Sequence, residues 1–302
     1  MLWWIPKRYW SHFLVGWMVL TGVLTRSGSG PHLGLDALPM AVIASWAWAL
    51  HSASALRAQV AEGFQAQHHT WNSLLRSRPS HDPSPLYSTF VQRMRSTEKH
   101  LHAVARKHRL RLLTIAFVDG WDHDGHGNEA ASLREGRRAH VWLGSNWFGP
   151  QDTVHLPVVL EHELGHILRR DNQRSTVLQA TGILLTVLAA AWLPLPLAVS
   201  AAVALRLQYI GWSWWTELAC DARAVRICGR DAVIALWERH AALLGDPPQP
   251  ARLWNGLRSA STHPPYALRV WWAHRINAPV TPASHPLAVP PDAYEKIPPL
   301  AA

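Results

Sequence analysis

The chain has 302 residues, 48% of them hydrophobic, and 18 tryptophans. That length suits one catalytic domain plus membrane segments, and the tryptophan excess fits a protein with interfacial aromatics. The formal net charge of +9 rests largely on arginines between Arg76 and Arg138; no nucleic-acid motif or stacking pattern accompanies them, which argues against a nucleic-acid partner and for a face held against anionic lipid. The two cysteines, Cys220 and Cys228, exclude a disulfide framework; eight residues apart on one predicted helix they are badly placed to pair, so a reducing compartment is permitted.

Residues 9–25 form a first apolar stretch, with Lys7 and Arg8 before it and Arg26 after it. A signal peptide shares those features, but a second apolar stretch, about residues 38–56 with Trp46 and Trp48 inside it, argues against cleavage. The turn-like link Ser27-Gly28-Ser29-Gly30-Pro31 makes the pair a membrane hairpin over residues 1–57, each arm near the lower limit for a span; a buried core helix is the alternative. From Leu86 to Leu110 the pattern predicts an amphipathic helix with Phe90, Met94, Leu101 and Val104 near one stripe. Leu112–Val118 and Ala139–Leu143 read as strands. A short sheet whose edge lies near the next helix would let an extended peptide add as a strand. Asp122-His123-Asp124-Gly125-His126-Gly127 is read as a polar turn, and His68, His69, His100 and His102 as polar positions without a metal role.

The segment Glu161-His162-Glu163-Leu164-Gly165-His166 carries an HExxH pattern. On a helix His162 and His166 share one face and can reach one metal ion, and Glu163 beside them can take a proton from an attacking water. Pro157 suits the first turn of that helix, Leu160, Leu164, Ile167 and Leu168 its apolar stripe, and Arg169 and Arg170 its C-terminal end. Two further apolar stretches follow, about 176–193 and 197–212, with Pro194 and Pro196 between them and Arg206 costly at a bilayer centre. After them, Glu217 and Asp221 lie four residues apart on one helix face. One carboxylate can bind the metal while the other accepts the free ring N–H of a ligand histidine; Glu217 is the best third ligand.

These pieces together, with Ser261-Thr262-His263-Pro264-Pro265-Tyr266-Ala267-Leu268-Arg269 downstream and Asn128-Glu129-Ala130-Ala131 upstream, resemble the HtpX-like membrane zinc metallopeptidases, gluzincins related to the CAAX prenyl proteases, over roughly residues 85–275. The resemblance implies one zinc ion bound by His162, His166 and Glu217, with Glu163 as general base and Asp221 behind a ligand histidine. His263 would act near the substrate oxyanion, and Arg269 would brace the site through a carboxylate. It implies a mainly α fold with a small β-sheet (α+β), combined with about four transmembrane or membrane-embedded helices, and hydrolysis of a protein or peptide bound as an extended strand. Cys220 stands where that family usually has alanine, and Glu129 interrupts the Asn-Ala piece. The HExxH run through Asp171 and the Glu217–Asp221 run also resemble the BlaR/MecR-type sensor peptidases, the second choice; a non-enzymatic membrane scaffold is the third.

The domain reading is thus a hairpin at 1–57, a zinc metallopeptidase domain at 58–275 interrupted by an apolar hairpin at 176–212, and a Pro-rich tail at 276–302, an irregular strap or disordered end. Lys and Arg are absent from the loops 27–37 (past Arg26) and 193–197 and abundant on the other side. The positive-inside rule then places both termini and the zinc site in the cytoplasm, in a cell membrane protein.

Overall fold

The computed structural model describes residues 33–76, 85–118, 130–149, 152, 154–243, 263–278 and 285–287. The first apolar stretch, the 122–127 turn and most of the Pro-rich tail lie outside these residues. The chain divides into two compact units, one from residues up to 62 with 173–213, the other from 63–172 with residues from 214 onward.

The first unit is helical. Helix α1, Leu33–Arg76, is 44 residues long, so the apolar stretch at 38–56 is only its first half. Residues 57–76 hold no proline and are rich in alanine, glutamine and leucine, strong helix formers that carry the helix past the end of the apolar run. Two more helices, α4 (Asp171–Trp192) and α5 (Leu195–Cys228), are, among the described residues, the helices long and apolar enough to cross a membrane. The fourth apolar stretch and the Glu217 segment are one continuous helix, α5, because nothing between Trp212 and Glu217 breaks it. Ile43, Trp46, Val177, Leu195, Val199, Val203 and Leu207 are exposed, whereas the buried positions are mostly small: Ala41, Ala44, Ser45, Ala190 and Ala198. Polar groups turn inward to one another: Tyr209 on α5 bonds both Ser175 and Gln179 of α4.

The second unit has the opposite arrangement. Helix α2 (Pro85–Lys107) buries Val91, Met94, Leu101 and Val104. A three-stranded sheet follows, with strand order β1-β3-β2. Strand β1 (Leu112–Val118) runs parallel to β3 (Arg138–Gly144), pairing Ile115 with Val141, and β2 (Ala130–Glu135) runs antiparallel to it, pairing Ser132 with Val141. Gly136 closes the β2–β3 turn at φ +59°, a conformation a side chain would resist. Edge strand β2 was not expected from the sequence; it packs against helix α3 (Leu156–Arg169). Ser132 Oγ donates to the Glu163 carbonyl at 3.2 Å and Arg134 Nη1 to that of Ile167 at 3.0 Å. Helices α6 (Arg230–Leu243) and α7 (Tyr266–Arg275) complete the unit. Its core joins Leu160, Leu164, Val225, Leu236 and Trp147.

Candidate metal centre

Helix α3 carries the HExxH residues. Pro157 starts it, its missing N–H costing nothing in a first turn. Arg170 ends it at φ 61°, and Asp171 then opens α4. Helix α5 crosses α3 at Gly165: a Cβ there would lie 2.9 Å from Cys220 Sγ and 3.2 Å from Cys220 Cα. Only glycine permits that approach, and it brings Glu217 and Asp221, on either side of Cys220, up to the two histidines.

His162 Nε2 lies 3.2 Å from His166 Nε2, and Glu217 oxygens lie 3.4 Å from each of them. Behind the imidazoles, His162 Nδ1 stands 3.0 Å from Asp221 Oδ1 and His166 Nδ1 3.1 Å from Asp171 Oδ2. Each carboxylate accepts the Nδ1–H of its histidine, so that in the neutral form each imidazole presents its Nε2 as a bare lone pair. Two lone pairs and a carboxylate therefore converge with no proton to share among neutral imidazoles, an arrangement that a cation satisfies. A tetrahedral ion with bonds of about 2.0–2.1 Å sets its donors about 3.3 Å apart, so the residues fit a metal of zinc's size.

Arg269 backs the site. It is buried and grips Asp221 with two parallel bonds, Nε to Oδ2 and Nη2 to Oδ1, both 2.7 Å. Its guanidinium carbon lies 3.4 Å from the centre of the Trp237 ring, which itself meets His162 edge-on. Burial lowers the His162 pKa, but Asp221 and Glu217 more than offset this and hold it above the ordinary value. Burial likewise lowers that of His166, and Asp171 carries it well above.

The sequence-derived residues thus sort by position. His162, His166 and Glu217 form the donor triangle, Asp221 and Arg269 stand behind it, and Glu163 is buried on the same helix. His263 is half exposed, its Nε2 3.8 Å from Glu217 Oε1. Asp171 was not assigned a role from sequence, although it lies five residues past His166 in the segment that resembles the sensor peptidases.

Glu161 was missed, and His100, read as a polar loop position, lies instead on helix α2. Glu161 is buried beside the first ligand and bonds His100 Nε2 at 2.8 Å and Arg223 Nη2 at 2.6 Å, with His285 Nε2 at 3.4 Å. Burial would raise its pKa, but His100, His285 and Arg223 hold it far below the usual carboxylate range. Arg223 balances the Glu161 charge and the imidazoles can donate while neutral, so this cluster is a clamp that fixes α3 from helix α2, helix α5 and the tail. Leu287 is buried with His285, so this part of the tail is an ordered strap.

Residues 139–276, somewhat less than half of the chain, match the family described as peptidase family M48. They span β3, α3, both carboxylates of α5 and Arg269. No curated protein and no solved structure matches the chain.

Proposed function

Taking residues 139–276 as a peptidase family M48 domain, we propose that this metallopeptidase is a zinc-dependent endopeptidase embedded in a cell membrane, which cleaves protein substrates at the cytoplasmic face in quality control or processing. The observation that carries the reading is the donor triangle of His162, His166 and Glu217, with both imidazoles backed by carboxylates. Zinc held there would supply Lewis acidity, lowering the pKa of water and polarising the scissile carbonyl. Glu163 accepts the proton of the attacking water and returns it to the leaving amine. His263, exposed beside Glu217, donates toward the carbonyl oxygen as negative charge develops on it. Asp221 and Asp171 hold the ligand rings in one tautomer and orientation, and Arg269 holds Asp221. The outer position of β2, packed on α3, supports a substrate that lies as an added strand, its backbone held by main-chain bonds.

The outward apolar surfaces of α4 and α5 support membrane insertion, and the Lys/Arg asymmetry supports a cytoplasmic site. The decisive experiment is Glu163→Gln in the full-length protein, purified in detergent. The variant retains zinc by elemental analysis and loses casein cleavage by about 10²–10⁴-fold. Cleavage at the wild-type rate, or a purified wild type without bound metal, would overturn the assignment.

A further inference from the structure

Among the described residues of the second unit most large apolar side chains are covered; the exposed ones are Val154 and, together beside the metal centre, two tryptophans. Trp215 is 55% exposed and Trp271 46% exposed, although both belong to well-packed helices. They are joined through Trp272, whose ring lies 6.2 Å from Trp215 edge-to-face and 6.5 Å from Trp271 in a stack. Trp272 Nε1 donates to the Leu218 carbonyl at 2.9 Å and so locks α7 onto α5. The guanidinium carbon of Arg275 lies 3.6 Å from the centre of the Trp271 ring. On the other side of α7, Arg269 and Ala273 are buried. One face of this short helix therefore serves the ligand set, and the other presents a rigid tryptophan–arginine patch.

From these contacts we propose that Trp215, Trp271, Trp272 and Arg275 form an interfacial anchor that binds the anionic surface of a lipid bilayer and sets the depth of the metal centre. The proposal rests on the membrane reading given above. Along α5 the exposed large apolar residues change from Val199, Val203 and Leu207 to Trp215, with Arg206 and Gln208 also exposed just before the aromatic run Tyr209-Ile210-Gly211-Trp212-Ser213-Trp214-Trp215. That succession, aliphatic then aromatic, is the composition of a helix leaving hydrocarbon for the headgroup layer. Indole is suited to that layer because its body is apolar and its N–H is polar. The charge agrees: no Asp or Glu occurs in 195–216 or 263–278, while His274 and Arg275 are exposed at the end of α7. A cation stacked on an indole is held at the surface with its charge facing the lipid phosphates. A partner protein that covered this patch would need acidic groups of its own, and it would leave position 271 in water when the chain is reconstituted alone.

The test uses full-length protein in nanodiscs of mixed phosphatidylglycerol and phosphatidylcholine. Nitroxide labels are placed singly by Trp271→Cys, Val203→Cys and His102→Cys, and their collision rates with oxygen and with a water-soluble nickel chelate are compared. The label at 271 is expected at headgroup depth, between a hydrocarbon-buried 203 and an aqueous 102. An aqueous 271 with a buried 203 overturns the anchor alone; an aqueous 203 overturns the membrane reading itself. The triple change Trp215→Ala, Trp271→Ala, Arg275→Glu is then assayed on one fluorogenic peptide, either free or tethered to lipid. Cleavage of the tethered peptide falls about fivefold or more, as expected from the loss of one cation at an anionic surface, while the free peptide is cleaved within twofold of wild type. Equal loss on both peptides, or no loss in tethered cleavage, counts against the anchor. Arg275→Glu alone, the mildest change, moves the 271 label toward water if the charge matters.

Discussion

The two units of this chain treat the same residue types in opposite ways. In residues 38–54 and 173–213, most of the large apolar side chains face outward, Val187 excepted, while small residues such as Ala41, Ala44, Ser45, Ala190 and Ala198 are buried and Tyr209 meets Gln179. In the unit that begins at 63, leucine and valine fill the centre, and the charged groups buried around the two histidines are paired: Glu161, His162, Asp171, Glu217, Asp221 and Arg269 each touch a partner of complementary charge or a ring nitrogen. The first pattern is the one expected under the proposed membrane reading, with apolar side chains outward and small residues where helices approach. The second buries its large side chains and pairs the charges it buries, since buried charge is tolerated only when it is paired. Under the membrane reading proposed above, the two patterns answer to two solvents.

The sharpest way to break that contrast is at Arg269. Arg269→Ala leaves Asp221 buried without its guanidinium, and loss of one partner of a buried pair costs about 3–5 kcal/mol. Thermal unfolding of the purified variant should fall steeply, with weaker zinc retention, because Asp221 no longer holds the His162 ring. A variant with unchanged melting and zinc content would mean that the second unit does not depend on its polar core.

The mirror-image change belongs to the first unit. Leu207→Asp places a charge on the outward face of α5 without touching the site. On a water-facing surface this would be nearly neutral; inside hydrocarbon it costs about 2.5–3.5 kcal/mol. An insertion assay on the 171–215 segment should show the loss. An unaltered inserted fraction would place α5 in water and remove the first half of the comparison.

How much of this was readable beforehand follows from the range of the interactions. The donor set was legible because its local parts obey helix spacing: His162 to His166 and Glu217 to Asp221 are both one turn. The small-residue requirement at Gly165 and the contact with Cys220 were not, since they exist only where two helices cross. Strand β2 was invisible because Ala130, Ala131, Ser132 and Glu135 have little β propensity; it is held by pairing with β3 and by Ser132 and Arg134 reaching the α3 carbonyls of Glu163 and Ile167. The length of α1 was misjudged because apolar content marks where a membrane could lie, whereas helix length follows backbone propensity. Glu161 looked like an incidental neighbour of His162, as none of His100, Arg223 and His285 is local to it.

Within the second unit, the crossing of α3 and α5 can be tested by Gly165→Ala. The added methyl meets Cys220 Sγ at 2.9 Å, Cβ at 3.1 Å and Cα at 3.2 Å. Overpacking of this kind costs about 1–3 kcal/mol, and it acts on the distance between Glu217 and the histidines, so zinc affinity should fall more than stability. Adding Cys220→Ala should restore only part of the loss, because the contacts with Cβ and the backbone Cα remain. Complete rescue would show that the sulfur, not the helix separation, sets the limit.

The smallest effect is absent at neutral pH and appears only on acidification. His155 caps the start of α3, is buried, and its Nδ1 has no hydrogen-bond partner among the described residues. Burial, with Arg239 and His240 nearby, lowers its pKa from 6.5 to about 4. Above 6.5 both folded and unfolded chains carry it neutral, so it contributes no pH dependence there. Between 6.5 and 4 the unfolded chain binds a proton that the folded chain refuses, so stability falls as the pH drops through that window and levels off below it. Replacing it, His155→Gln, should flatten that part of the curve of unfolding free energy against pH while leaving the value at pH 8 little changed. A wild-type slope in the variant would assign the acid sensitivity to other groups. The helices of the first unit, which do not contain His155, should keep their helical signal through the same range, and so separate the two units by titration rather than by mutation.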